Sequence, residues 1–208
     1  MFTHIRAASL TLRRVLERSF RADSDLAHLF DPSLGNAVVS LATPDGMEGA
    51  GEIGLSMWLY RLVRDEQTLN RPPRRIPPDL ILRQPLPVRA HFLMTPIVTG
   101  NAGGIPAPET EQLIIGRVLQ TFHDEPLIRA PDLAGSYRGH PVELAVRLET
   151  LGLDETSRIW EGLERSYQLS ISYEVAIIII ASGLQPQAFP PVMIAEPQVA
   201  IGALGGRA

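Results

Sequence analysis

GEIGLSMWLYRLVRDEQTLNRPPRRIPP, residues Gly51–Pro78, changes character halfway along. In the first half Ile53, Leu55, Met57 and Leu59 alternate with Glu52, Ser56, Trp58 and Tyr60. Side chains along a strand repeat every two residues, so this pattern predicts a strand buried on one face and carrying two aromatics on the other. The second half, Arg61 to Arg75, is rich in arginine and ends in Pro72-Pro73 and Pro77-Pro78. Proline lacks the amide donor, so regular pairing should stop there. A strand that runs into a charged, proline-stiffened loop suits docking better than catalysis.

On the N-terminal side, residues 3–18 place Ile5, Ala8, Leu12, Val15 and Leu16 on one helical face, with Arg6, Arg13, Arg14 and Glu17 elsewhere. Asp31 to Asn36 reads as a turn, and Ala37–Thr43 as a first short strand. Residues 44–54 carry Gly46, Gly49, Gly51 and Gly54 among acidic residues and read as a mobile loop.

On the C-terminal side, residues 71–87 hold six prolines and read as a stiff extended connector. Pro87–Pro96 is a predicted strand, with Val88, Ala90, Phe92 and Met94 opposite Arg89, His91 and Thr95. A Gly/Pro loop over 99–108 leads to a helix from Glu109 to His123, with Pro108 in its first turn. Residues 142–149 alternate, setting Glu143, Arg147 and Glu149 on a wet face. Asp154 is the expected cap of a short helix holding Ile159, Trp160 and Leu163. The longest predicted strand runs from Tyr167 to Ile180, with Leu169, Ile171, Tyr173, Val175, Ile177 and Ile179 on one face and Gln168, Ser170, Ser172 and Glu174 on the other. This order predicts a single α+β domain over residues 1–182, a mostly antiparallel sheet with helices packed on one face. Residues 183–208 are a Pro/Gly/Ala-rich arm or tail.

The 208 residues carry a formal net charge of −4, which gives no case for nucleic-acid binding. There is no cysteine, so thiol catalysis, disulfides and thiolate metal sites are excluded. All 19 basic residues are arginine, which excludes Schiff-base chemistry and a P-loop lysine. Arg6, Arg13 and Arg14 interrupt any signal-peptide core, and the most apolar run, Val175–Ala181, is too short to span a bilayer. The expectation is a chain made and kept in the cytoplasm, without membrane insertion.

Candidate chemistry is sparse. His123-Asp124-Glu125 holds metal-type ligands, but helix neighbours point apart and Pro126 follows, so a charged helix end is the better reading. His4, His28, His91 and His140 show no ligand spacing. Gly100 to Gly104 lacks the form of a phosphate loop, and Ser136 to His140 lacks a nucleophile elbow. No catalytic residue, metal site or cofactor is expected. The concentrated group is Trp58, Tyr60, Arg61, Arg64, Arg71, Arg74 and Arg75, residue types that dominate interface hot spots. It is equally readable as a solvated strand edge and loop.

LSMWLYRLVRDEQTLNRPPR, PLPVRAHFLMTPI, EQLIIGRVLQTFHDEPLI and LSISYEVAIIII, in this order behind an amphipathic helix, resemble the tail-terminator (cap) proteins of extracellular contractile injection systems. These are phage-tail-like particles assembled in bacteria. The resemblance covers residues 3–182 and rests on order and spacing. It implies a noncatalytic role: a six-membered ring of copies at the end away from the baseplate, ending the inner-tube protein and engaging the last layer of sheath protein. It offers no site residues to carry over. Rival readings are another noncatalytic tail component such as a baseplate or connector part, a small hydrolase or metal-binding enzyme using His123, Asp124 or the Ser136–His140 loop, and a peptide-binding module with an open edge strand.

Overall fold

The apolar spacing of the N-terminal segment produces a helix, α1 (His4–Ala22), which buries Ala8, Leu12, Val15, Leu16 and Phe20. The structure is a computed structural model, and it describes residues 2–68, 80–81, 83–102, 104–185 and 187–188. A short α2 (Ala27–Phe30) and the turn after Asp31 lead into β1 (Val38–Ser40).

Residues 44–54, expected as a mobile loop, instead form α3 (Pro44–Ala50). Each end of it has a local cause. The Thr43 hydroxyl accepts from the Gly46 amide at 3.1 Å, and Pro44 opens the first turn, where its missing amide costs nothing. Gly51 closes the helix in the left-handed conformation, with φ of 70°. The glycines that argued for mobility include the cap residue itself.

The central strand follows as β2 (Gly54–Arg64) and continues past the expected break at Arg61. Its partner supplies the reason. β4 (Leu86–Ile97) lies antiparallel to it and offers Ala90, Arg89 and Val88 to Leu62, Val63 and Arg64. Between these strands lie a short 3-10 turn and β3 (Leu80–Ile81). Residues 71–79 and 82 of the proline connector, Arg71, Arg74 and Arg75 included, lie outside the described residues, and its last two residues, Leu86 and Pro87, open β4.

The expected Gly/Pro loop contains a narrow hairpin, β5 (Asn101–Ala102) and β6 (Ile105–Pro106). It feeds α4 (Ala107–Asp124), with Pro108 and Glu109 in its first turn. Then come β7 (Leu127–Ile128), β8 (Leu144–Glu149), α5 (Leu153–Gly162), β9 (Ile171–Ile180) and β10 (Gln187–Ala188). Gly152, not Asp154, caps α5: Glu155 reaches back to accept from the Gly152 amide at 3.2 Å, and Asp154 stands in the first turn.

Six strands make one sheet in the order β1-β2-β4-β9-β8-β7. Only β1 and β2 run parallel, so the sheet is mostly antiparallel and the fold is α+β. α1 and α4 cover one face, where Leu55, Met57, Phe92, Met94, Val146, Tyr173 and Val175 meet the helices' apolar stripes. Each such large side chain contributes on the order of 1.5–3 kcal/mol by leaving water. At one end of the opposite face α3 lies against β2 and β4. There Met47, Leu93, Ile97 and Trp160 are buried apart from the main cluster.

β9 departs from the predicted pattern twice. It starts at Ile171, because β4 and β8 offer backbone partners only from Ile171 and Ser172 onward. Ser170, before that point, instead accepts from the Trp160 indole at 3.3 Å. The register also slips: Ala90 pairs with Val175 but Val88 with Ile178, so β9 carries one extra residue. A bulge reverses which side chains face inward. Hence Ile178 is fully buried while Ile179 is 40% exposed, although unbroken alternation put Ile179 on the buried face.

Candidate functional site

On the sheet face turned away from α1 and α4, strand order brings together side chains far apart in sequence. Arg89 and His91 share this face of β4, Ser172 and Glu174 share it on β9, and Glu149 ends β8. The register sets His91 beside Glu174 and Glu149 beside Ser172. Asp65 sits just past β2, its amide bonded to the Pro87 carbonyl at 3.0 Å.

Arg89 is the hub of the first half of this cluster. Its Nε donates to Asp65 Oδ1 at 2.7 Å, and its Nη1 donates to both Glu174 oxygens at 3.1 and 3.2 Å. The Thr68 hydroxyl donates to Asp65 Oδ2 at 2.6 Å. Asp65 is only 1% exposed, and a lone carboxylate there would be costly. The Thr68 hydrogen bond, and then Arg89, hold its carboxyl below the ordinary value against the opposing pull of burial. Reciprocally, Asp65 raises the pKa of Arg89.

The second half is a chain of hydrogen bonds. Glu149 Oε1 accepts from His91 Nδ1 at 2.8 Å, and Oε2 accepts from the Ser172 hydroxyl at 2.7 Å. Tyr60 reaches the same hydroxyl at 3.0 Å, and its ring stands edge-on to His91 at 6.2 Å. Partial burial raises the Tyr60 pKa. With the carboxylate in the middle, the Ser172 hydroxyl faces Glu149 and not an imidazole, so the order differs from that of a serine–histidine–acid array. Among the described residues no hydroxyl is hydrogen-bonded to a histidine ring.

Of the residues singled out in the sequence, Trp58 and Tyr60 lie half-buried on this face, 6.1 Å apart between ring centroids. Tyr60 is the extra residue of a second bulge, between Leu59 and Arg61. Arg61 and Arg64 follow on the exposed end of β2. Arg71, Arg74 and Arg75 lie outside the described residues. The bland reading of His123 to Glu125 fits the geometry: His123 is exposed, and Glu125 pairs with Arg18, which also pairs with Asp132. In the Ser136–His140 loop, the Ser136 hydroxyl accepts from Thr3 at 3.2 Å and Tyr137 is buried against the His4 ring. A mostly apolar groove of about 860 Å³ opens at the C-terminal half of α4, lined by Leu119, Phe122, His123, Pro126, Leu148 and Tyr173.

Residues 7–193 match the Pvc16 N-terminal domain. The chain belongs to that family. Its fold is similar to that of the PVC sheath/tube terminator of an extracellular contractile injection system in the extended state, with a TM-score of 0.54 and 15% identity. That similarity covers 94% of this chain and 64% of the terminator chain. The cap of the anti-feeding prophage, a tube-terminating cap, is similar at a TM-score of 0.56 and 14% identity, over 88% of this chain and 58% of the other. This chain thus spans about three-fifths of the length of both. Comparison with curated proteins gives no match.

Asp65, Arg89, His91, Glu149, Ser172 and Glu174 were missed as a group. The wet faces of three predicted strands already contained Arg89 and His91, Ser172 and Glu174, and Glu149. The missing fact was that these strands are neighbours.

Proposed function

We propose that this chain is a noncatalytic cap that ends the inner tube of a contractile injection particle and meets its last sheath layer. The observation that carries the reading is the likeness, over most of this chain, to two proteins described as a sheath/tube terminator and a tube-terminating cap. Membership of the Pvc16 N-terminal domain family supports it, and so does a polar cluster whose connectivity suits structure rather than bond breaking.

A tube grows because each ring offers the next a repeatable surface, a heterologous contact that never closes along the axis. A terminator matches the last ring and presents no repeat of it. Around the axis six copies close into a ring, and the open sheet, with β1 and β7 at its edges, leaves unpaired strand groups for neighbours. Trp58, Tyr60, Arg61 and Arg64, with Arg71, Arg74 and Arg75 of the connector, form the docking surface. Residues 1–182 are the folded unit. Residues 183–208 are an arm that takes part in docking, and its Gln187–Ala188 pairs with Leu80–Ile81. Among the described residues no helix is long and apolar enough to cross a membrane, and assembly takes place in the cytoplasm.

Deleting the chain from cells that make the particle tests this. The expected result is tubes of unregulated length with one unfinished end, and a labelled copy found only at the end away from the baseplate. Uniform, normally finished particles without it would sink the proposal.

A further inference from the structure

We propose that His91, Glu149 and Glu174 form a binding site for a first-row divalent cation on the sheet face. One ligand atom from each lies within 4.8 Å of the others, and the three come from adjacent strands β4, β8 and β9. One imidazole and two carboxylates are a donor set that suits zinc and its first-row neighbours.

Three further observations separate this group from a chance meeting of acids. His91 is only 4% exposed, and burial together with the Glu149 bond fixes its ring so that Nδ1 faces that carboxylate. Both carboxylates are also held in place from behind: Glu174 by Arg89, itself fixed by Asp65, and Glu149 by the Ser172 hydroxyl, which Tyr60 meets in turn. Oriented ligands with a bonded outer layer are what a metal site requires. Finally, the two halves of the cluster together contain the carboxylates of Asp65, Glu149 and Glu174 but a single guanidinium, Arg89, so the cluster carries a surplus of negative charge. Arg61 and Arg147 stand beside this group in the register, but both are exposed and solvated.

A cation would be bound by the two carboxylates and one His91 nitrogen. The ligand nitrogen is Nδ1, which already faces Glu149, and the proton it shares with that carboxylate is released on binding. Arg89 and Ser172 then form the outer layer.

The test uses the full chain, freed of metal by chelation and titrated calorimetrically with Zn²⁺, and separately with Co²⁺ followed by visible absorption. The expected result is one equivalent bound, cobalt bands of a nitrogen/oxygen site, and a melting midpoint raised by about 5–10 °C at a hundredfold excess over Kd. His91→Gln and Glu149→Gln should each weaken binding by about 10–100-fold, while His123→Gln, at the exposed helix end, leaves it unchanged. Circular dichroism on each variant separates lost binding from lost folding. Should His91→Gln unfold the chain, Glu149→Gln decides. No binding by the folded protein at 100 µM Zn²⁺ (~100 µM as a weak-site ceiling) would overturn the proposal, as would equal binding by both substituted variants. The first result would mean that Arg61 and Arg147 balance the network through solvent, and the second that the metal binds elsewhere on the chain.

Discussion

Arg89 holds two carboxylates at once, and no other cation bonds to either of them among the described residues. Removing one partner of a buried pair leaves the other charge without compensation, which costs more than the pair contributes when intact. Arg89→Met is therefore expected to lower unfolding free energy by about 3–5 kcal/mol in urea titration. Adding Asp65→Asn should recover part of that loss. The depressed Asp65 pKa has a definite sign: its stabilisation is present at neutral pH and is lost as pH falls from the ordinary carboxylate range through the folded value. At the alkaline end Tyr137 and Tyr173, both buried, are pushed up to about 12. Above pH 10 the unfolded chain releases these protons and the folded chain retains them. Stability should then fall by about 1.4 kcal/mol per pH unit for each tyrosine, measurable by denaturant titration between pH 10 and 12. None of these couplings shows in the sequence, because Asp65 and Glu174 are separated by more than half the chain and Tyr173 differs in no local way from an exposed strand tyrosine.

At the scale of elements, α3 and β1 depend on single residues. Gly54 has φ of 128°, and a Cβ there would lie 2.2 Å from the Val38 carbonyl oxygen. Gly54→Ala should cost about 2–4 kcal/mol and free β1 from the sheet edge, seen as faster amide exchange at Val39 and Ser40. Thr43→Ala removes the cap of α3 and should cost about 1 kcal/mol in thermal or urea unfolding. Equal stability would mean that packing of Met47, not the cap, holds that helix. The sequence named the long helices and the main strands correctly, since their periodicity extends over many residues. It misread residues 44–54, where one threonine and one glycine decide between loop and helix. It placed the far end of β9 at Ile180 but assigned the wrong inward face there, since a bulge is a choice made by two paired strands and leaves no mark in either alone.

At the scale of the whole molecule, docking should separate from folding. Arg61 and Arg64 are exposed at the end of β2, so the double charge reversal Arg61→Glu with Arg64→Glu should leave stability within about 0.5 kcal/mol. Co-sedimentation with assembled tubes should nonetheless fall about tenfold or more, the size of effect that loss of an interface arginine brings. Unchanged co-sedimentation would move the docking surface elsewhere, with the apolar groove beside α4 the next candidate. By itself the sequence determined the α+β class, the amphipathic helices, the wet and dry faces of the main strands up to their bulges, and the exclusion of thiol and lysine chemistry. Each of these follows from local spacing or from the presence or absence of a residue type. Only the tertiary structure decided that β4, β9 and β8 lie side by side, and with that the meeting of His91, Glu149 and Glu174. Strand order is set by how whole faces are buried together, and no one strand encodes its neighbour.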